Sequence, residues 1–425
     1  MTRARKARCG IVAYRMAKFS SDKFPPGFFD LPQRAGETLP LELIAEWTRG
    51  EQSQERARAL LEPRTIRGTL VVTDASGLTR LTRDRPLIEI LALLAQAKEL
   101  FYAHGRAIGG RSIGVWAADN TQMFYDASIP VPRLVAMMNT VMRRLASECE
   151  VGMGMAAHTG EFFELGDAVY GPDADLVETI AEEHTSSGET VITAAMHSAL
   201  GATPDVTVEP RADLQAEFNV VYRISGAPIL EQLDLTDTAY PAPFSSGFSE
   251  GLSHYTRTRR DSMVRQPYAE LAVVLIQRER EVPDVPEVAV LNNLSLTAAA
   301  KRIGTALLLG TGEEIKCSGL LSIYAFPECR DAIAFARAFR DALAQQGIQC
   351  RIGIDVGPVL VFDLSEGSRD IAGSPVNIAS KLAEDVGEYG KIQMTEAVAK
   401  RAGARRERAT LQFTVSGVDL RAYDV

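Results

Sequence analysis

Cysteine is scarce and scattered in this chain. The five cysteines, Cys9, Cys149, Cys317, Cys329 and Cys350, form no CxxC pair and no metal-ligand spacing. That excludes a disulfide-stapled scaffold or a zinc finger and suits reduced thiols in a cytoplasmic setting. Long apolar runs are also missing. None approaches the about 18 to 20 residues that a membrane span needs, and the longest, such as Leu271 to Ile276, are strand-sized. Surplus positive charge is absent. A net charge of −9 over 425 residues argues against nucleic acid as a partner, which would call for a basic face. The N-terminus has no acidic residue among its first cations (Arg3, Arg5, Lys6, Arg8, Arg15, Lys18), and it lacks the apolar core of a secretory signal. It reads as a solvated tail or a first strand, Gly10 to Tyr14, with a transit peptide or an anionic-membrane contact as the other reading. What is present, 46% hydrophobic and 24% charged residues, is the composition of a soluble globular protein of about two or three domains.

The pattern of apolar residues divides the chain. Residues 1–66 are a lead-in without recognisable chemistry. In it, Phe24-Pro-Pro-Gly-Phe-Phe29 reads as a loop with exposed aromatics, and Leu41 to Leu61 as a charged surface or partner-facing helix. Thr69 to Thr73 is a buried-strand pattern, Pro86 to Ala103 a helix, Ser112 to Phe124 a hairpin turning near Asp119-Asn120, and Pro132 to Ala146 a helix. Strands at Val151 to His158 and Glu161 to Tyr170 follow, then a helix from Asp173 to Glu183 and a strand from Thr190 to Thr193. The same order recurs: strand Glu270 to Gln277, helix Thr297 to Thr305, hairpin Glu314 to Phe326, helix Arg330 to Gln345, strands Arg351 to Asp355 and Val359 to Leu364, helix Val376 to Glu384, strand Lys391 to Thr395. Gly171 answers Gly373 and Thr193 answers Thr395, each 202 residues on. At that offset Asp74 falls opposite Ile276. So regular a duplication marks two copies of one unit, residues 67–224 and 268–425, joined by a Pro/Gly/Ser-rich linker at 225–267.

The residues themselves carry unequal chemistry. Asp74, in Thr73-Asp-Ala-Ser-Gly-Leu-Thr79, ends a strand, and Asp119, in Trp116-Ala-Ala-Asp-Asn120, sits in a hairpin turn. Two such carboxylates suit hard divalent cations if their strands adjoin; taken singly, each reads as ordinary turn chemistry. The second copy ends in Asp370-Ile-Ala-Gly-Ser-Pro-Val-Asn377-Ile-Ala-Ser-Lys381, where Asn377 and Lys381 share a helix face. Lys316 lies upstream, beside Cys317, which reads as a small strand residue.

These motifs, in this order and twice over, resemble the class III nucleotidyl cyclase catalytic domain. Ala157-His-Thr-Gly-Glu161 and Tyr170-Gly-Pro172 match further blocks of the first copy. Arg351-Ile-Gly-Ile-Asp-Val-Gly-Pro358 and Gly390-Lys-Ile-Gln-Met-Thr395 match in the second. The resemblance implies an α+β fold, two tandem ferredoxin-like (βαββαβ) domains paired head to tail as an intramolecular pseudo-dimer. It implies conversion of ATP to 3′,5′-cyclic AMP and pyrophosphate, with two Mg²⁺ or Mn²⁺ ions on Asp74 and Asp119. Lys316 and Asp370 would read adenine, Asn377 would place the ribose and Lys381 would steady the phosphate. An ammonium donates to adenine N1 and a carboxylate accepts from its 6-amino group, whereas guanine mismatches both. Two positions depart from the family. Lys381 stands where arginine is usual, which keeps the charge and loses the bidentate fork. Ser416 stands where a phosphate-contacting lysine is expected. The mirror site would set Ile276 and Leu320 against Asp175 and Thr179 and bind no metals. His158 reads as structural. The other reading, from a different class, is a pseudo-cyclase that binds nucleotide or protein and signals by conformation. A cyclase with another base preference is a third.

Overall fold

The computed structural model describes residues 19–31, 39–76, 85–116, 120–218, 220–236, 238–258, 268–282, 284–308, 310, 312–365, 367–403, 411–415 and 418–425. The basic N-terminus and the Asp119 and Ser416 positions lie outside them.

Two helices lead in, α1 (Leu41–Arg49) and α2 (Gln54–Leu61). One helix over this stretch is the sequence expectation. It breaks at Gly50, and Ser53 caps the second piece by accepting from Arg56 N at 3.3 Å. The first copy then runs β1 (Thr65–Ser76), α3 (Leu87–Ala107), β2 (Arg111–Ile113), β3 (Thr121–Asp126), α4 (Val131–Glu148), β4 (Gly152–Leu165), β5 (Ala168–Tyr170), α5 (Pro172–His184), β6 (Thr190–Thr193), α6 (Ala194–Leu200), β7 (Thr207–Pro210), α7 (Gln215–Phe218) and β8 (Val221–Gly226). The linker holds α8 (Ser246–Thr258). The second copy runs β9 (Tyr268–Arg278), α9 (Pro286–Leu307), β10 (Glu313–Ser318), β11 (Leu321–Phe326), α10 (Cys329–Gln345), β12 (Cys350–Asp363), β13 (Arg369–Ala372), α11 (Ser374–Ser380), β14 (Ile392–Thr395), α12 (Glu396–Ala402), β15 (Leu411–Val415) and β16 (Val418–Asp424).

The duplication is carried by sheet topology. One sheet orders its strands β2-β3-β1-β4-β6-β8-β7, with β5 on β4. The other orders them β10-β11-β9-β12-β14-β16-β15, with β13 on β12. Each central strand is hydrophobic on both faces: Leu70, Val71 and Val72 in β1 and Ala272, Val273 and Val274 in β9 are fully enclosed. Helices cover both faces. In the first copy α3 and α4 pack one side and α5 the other. Gly171 and Gly373, at φ 119° and 146°, turn the chain into α5 and α11, each followed by a proline in the first turn.

A pseudo-two-fold clasp joins the halves. Leu360 and Phe362 of β12 reach onto Ile88, Leu91 and Leu94 of α3. Leu165 of β4, with Phe163 and Tyr170, packs in return on the apolar cluster of the second copy around α9. The leading segments cross over too: α1 and α2 cover α9, and α8 of the linker covers α3 through Phe248 and Leu252. The lead-in is therefore core, not a surface helix. Trp47 and Ile44 are fully buried, and Trp47 Nε1 donates to Asn292 Oδ1 at 3.0 Å. Phe24 and Phe29, read from sequence as exposed, are buried against Phe19 and Phe28. The surrounding prolines and glycine set a tight turn that folds the rings together.

Trp47→Ala empties a fully buried site and leaves Asn292 without its donor. It is expected to destabilise the chain by about 3–5 kcal/mol, measured as a fall in the urea midpoint. A midpoint equal to that of the parent would mean that the lead-in is not part of the core.

Candidate functional site

Asp74 sits near the end of β1, half-buried. Strand alternation places it on the same face as Leu70 and Val72, the face covered by α5. The neighbouring Thr73 points the other way, its hydroxyl 2.6 Å from that of Thr121 on β3. Thr73 is the last residue of β1 that pairs with β3, opposite Thr121. Asp119 itself lies outside the described residues. A buried cation holds the start of its hairpin: Lys98, 2% exposed, donates from Nζ to the Trp116 carbonyl at 2.5 Å. Two amides tie the same region to α5. Gln122 Nε2 donates to Glu178 Oε1 at 2.5 Å, and Asn120 Nδ2 to Glu182 Oε1 at 3.1 Å. Among the described residues no group of three His, Cys, Asp or Glu is placed to hold a metal. Of the two carboxylates expected from the sequence to hold a divalent ion, the described residues contain Asp74, a hard-oxygen donor of the kind Mg²⁺ or Mn²⁺ takes.

On the second copy, Asp370 is buried in β13, and its Oδ1 accepts from the Ile371 N–H at 2.8 Å. Lys316 is exposed on β10, just past a bulge. The two strands are tied together where Arg369, next to Asp370, pairs with Glu313 at 2.9 Å. Asn377 is exposed on α11. The Lys381 N–H bonds back to the Asn377 carbonyl, one turn away, but Lys381 begins a π-helical turn, and its Nζ pairs with Asp385 Oδ2 at 2.5 Å. Across the interface, Ala75, the neighbour of Asp74, lies in one apolar cluster with Leu360 and Phe362 of the arm that carries Asp370.

The mirror cleft differs from its sequence expectation. The ladders pair Thr73 with Met155 and Ile276 with Ile352, and those partners lie against Thr190 and Ile392 at the start of equivalent strands. Ile276 therefore answers Thr73, and the counterpart of Asp74 is Gln277; loop-length differences between copies shift the strand by one. Ile276 is buried in the α9 face. On the neighbouring strands Thr121 answers Ser322; Asp119, whose counterpart Leu320 is expected to be, lies outside the described residues. Cations are built in around these positions. Gln277 Oε1 accepts from Arg351 Nε at 2.6 Å. Arg278, 2% exposed, donates to the carbonyls of Asn293 and Gly319 at 2.7 and 3.1 Å and to Thr297 Oγ1 at 2.9 Å. Burial pulls Arg278 down to about 9, which leaves it charged at neutral pH. Asp175 pairs across the halves with Arg280. Thr179 turns inward and donates to the Asp175 carbonyl at 2.8 Å.

His158 is buried mid-strand, Nδ1 2.8 Å from Thr193 Oγ1, in the place that Asp355 and Thr395 fill in the second copy. Burial pushes the Cys317 thiol up to about 12, which makes it unreactive at neutral pH. A cleft of about 950 Å³ lies elsewhere, between α2, the start of β1 and the first turn of α9, lined by Arg67, Arg111 and Glu161 among others. Lys98, Glu178, Glu182, Arg278 and Arg280 were not legible as site residues. The one available signal was a lysine at an apolar helix position, between Leu94 and Phe101.

Residues 324–419 match the adenylate and guanylate cyclase catalytic domain family. No curated protein is similar enough in sequence to match the chain. Among solved structures, a class III adenylyl cyclase-like ATP-binding protein from Pseudomonas aeruginosa is similar at 11% identity, with a TM-score of 0.53 over 79% of this chain and 85% of that one. That coverage exceeds what one half can supply, so the shared fold spans both. An adenylate/guanylate cyclase/hydrolase from Silicibacter pomeroyi (22% identity, TM-score 0.31, 37% of this chain and 96% of that one) and the adenylyl cyclase CyaB from Pseudomonas aeruginosa (15%, 0.31, 38% and 95%) are similar over a single half.

Burial pushes the Glu178 carboxyl up to about 7 against the Gln122 hydrogen bond; Glu182 and Asp175 add to the rise, and Arg280 opposes it. Its ordinary value is 4.5. Between those values the folded state keeps a proton that the unfolded chain has released, so stability falls as pH rises from 4.5 to about 7 and stays reduced above. Glu178→Gln should raise Tm at pH 8 by about 2–4 °C and leave it nearly unchanged at pH 4.5. An equal shift at both pH values would contradict the raised value.

Proposed function

We propose, from the premise that the second half of this chain belongs to the class III adenylate/guanylate cyclase family and the first half repeats its fold, that the protein converts ATP to 3′,5′-cyclic AMP and pyrophosphate at one site between the halves. The observation that carries the reading is the shared cluster of Ala75 with Leu360 and Phe362. It abuts the strand end bearing Asp74 to the arm bearing Asp370.

In this reading Asp74 and Asp119 hold Mg²⁺ or Mn²⁺. Divalent ions bound there supply neutralisation of the triphosphate and acidification of the ribose 3′-hydroxyl. The chain does the rest by placement. Lys316 donates to adenine N1, and Asp370, enclosed on β13, accepts from the 6-amino group. Burial sharpens that choice, because a mismatched donor or acceptor has no water to turn to. Asn377 orients the ribose so that O3′ lies in line with the α-phosphorus. The O3′–P bond forms as the bond to the pyrophosphate oxygen breaks, and the hydroxyl proton leaves to water. Lys381 must swing from Asp385 to reach the phosphate. That competing pair, together with the missing guanidinium fork, predicts a slow enzyme.

The same pair favours a second reading, a nucleotide-binding signalling module without turnover. The similar Pseudomonas aeruginosa structure is of a cyclase-like ATP-binding protein. Incubating the protein with each ribonucleoside triphosphate and Mn²⁺, then identifying products by mass, separates the readings. Cyclic AMP is expected from ATP alone, and Asp74→Ala should reduce it to background. ATP bound without any cyclic product would leave the signalling module standing, and cyclic GMP would overturn the adenine assignment.

Lys381→Arg restores the fork and is expected to raise kcat at least about tenfold with little change in KM. A fall in kcat would show that the lysine is not a weakened phosphate-facing cation.

A further inference from the structure

The two residues proposed to read the base stand on different strands of the second copy, Lys316 on β10 and Asp370 on β13. Each strand has another ladder partner, β11 for β10 and β12 for β13. Arg369 bridges them. Its Nη1 donates to Glu313 Oε1 and Oε2 at 2.9 and 3.0 Å, and its Nε donates to Asp363 Oδ1 at 2.9 Å. Arg369 lies directly opposite Asp363 in the β12–β13 ladder. One guanidinium thus holds the ends of β12 and β13 to the start of β10. The next residue along β13 is Asp370, and the one after it, Ile371, is buried in the apolar cluster beneath.

A bulge gives Glu313 and Lys316 a common face. Residues three apart on a regular strand point to opposite faces. Here the register shifts between Glu314 and Lys316, so Glu313 pairs with Ala325 and Lys316 with Ile323. Those partners are two apart on β11, and both belong to the apolar cluster that includes Ala379 of α11. The extra residue, Ile315, is buried in the same cluster and anchors the bulge. Lys316 therefore stands on the face that holds the Glu313–Arg369 pair and α11, the helix of Asn377. The first copy is built differently. Ladder for ladder, Ile113 answers Lys316, Arg111 answers Glu313 and Ala168 answers Asp370, with Asp167 in the place of Arg369. Its β2–β3 ladder runs without a bulge, Ile113 is buried, and Arg111 pairs with Glu164 of β4. Among the described residues, the cross-strand clamp is found in the copy that carries the base-reading residues and not in the other.

We infer that Arg369 and Glu313 are specificity-determining positioning residues: their ion pair sets the separation of Lys316 from Asp370, so the choice of adenine over guanine depends on a contact that touches no nucleotide. The inference rests on the adenine-reading assignment of Lys316 and Asp370 and is independent of where metals bind. The physical reason is the short range of the two hydrogen bonds to the base, each good over about 2.7–3.2 Å between heavy atoms. Asp370 is enclosed and cannot follow a displaced base, whereas Lys316 is exposed on a long stem. Slack between β10 and β13 would let the ammonium move from adenine N1 to O6 of guanine, which is an acceptor. Discrimination would then fall, because the mismatch that rejects guanine would be relieved on one side.

Binding measurements on the full chain test it, with α,β-methylene ATP and α,β-methylene GTP, neither of which can cyclise, as the probes. An ion pair as exposed as Arg369–Glu313 limits the change in the ATP-to-GTP affinity ratio to about fivefold. Arg369→Gln and Glu313→Gln should each lower that ratio about three- to fivefold. The double variant should go no further, because both changes break one contact. Arg369→Lys, which keeps the charge, should hold the ratio within about twofold of the parent. If Arg369→Gln does not fold, Glu313→Gln carries the test. A contact that only stabilises the fold would lower both affinities in proportion. That result, an unchanged ratio, or multiplied losses in the double variant overturn the clamp while leaving the base-reading pair intact. A parent with no preference for the adenine analogue, or a preference that Lys316→Ala leaves unchanged, overturns the adenine assignment and the clamp with it.

Discussion

The exchange of apolar arms between the halves is the constraint on which the rest depends. Leu360 and Phe362 leave the second copy to be buried on α3 of the first, and Phe163, Leu165 and Tyr170 make the reciprocal crossing. Each large side chain enclosed this way contributes about 1.5–3 kcal/mol, so separating the halves would expose two apolar surfaces at once. The arms also fix geometry. Packed on α3, the β12–β13 arm sets Leu360 and Phe362 in one cluster with Ala75, the neighbour of Asp74. A cleft between two domains usually implies freedom of motion. Here the crossed leading segments, α1 and α2 on α9 and α8 on α3, add a second layer of burial over the same junction.

Within this symmetric frame the electrostatics are opposite at equivalent positions. Asp74 answers Gln277, and Gly154, its ladder partner, answers Arg351. The glycine has a steric reason, because a Cβ there would lie 2.1 Å from Thr185 Oγ1. In the second copy the guanidinium of Arg351 reaches over that strand to Gln277, and Arg278 fills the hairpin behind. A divalent ion brought to the second copy would meet two fixed cations and no carboxylate at either counterpart position. The hairpin itself needs a donor in both copies. Lys98 supplies it to the Trp116 carbonyl, and Arg278 with Thr297 supplies it to Gly319. One structural demand is met by two different residues, at positions that sequence comparison between copies does not align.

That difference explains what the sequence disclosed. Two copies and their element order were legible, because hydrophobic periodicity and turn chemistry are local signals. Gln277 was missed because a fixed offset of 202 assumes equal loops, and one residue of slip in a strand moves a side chain to the other face. The aromatics at Phe24 to Phe29 were read as exposed because a Pro/Gly-rich segment looks like a loop whether or not its rings fold inward. The strand pairs predicted on either side of residues 159–160 and 356–358 are single strands of fourteen residues each, β4 and β12. Their glycines and proline look like breaks but sit within a continuous ladder to β1 and β9. Lys98, Arg278 and the α5 carboxylates are unremarkable as sequence. Their meaning depends on partners 15 to 105 residues away, which no local pattern encodes.

The weakest part of the site is set by local helix geometry. The backbone from Lys381 to Asp385 widens to a π-helical turn, a form that occurs mostly as single turns at functional places. Asn377 remains one turn from Lys381 by its backbone hydrogen bond, so the spacing proposed to place ribose and phosphate groups is kept. The lysine side chain, however, is long, half-exposed and already paired within its own helix. An exposed pair of this kind is worth about 0–1 kcal/mol, small enough for a bound triphosphate to displace it. A planar guanidinium would hold two phosphate oxygens at once and lose less freedom in doing so. At the position proposed to face the phosphate, the chain thus keeps a positive charge while giving up its orientation, and in the proposed reading the geometry of one side chain separates a slow enzyme from a nucleotide-binding module.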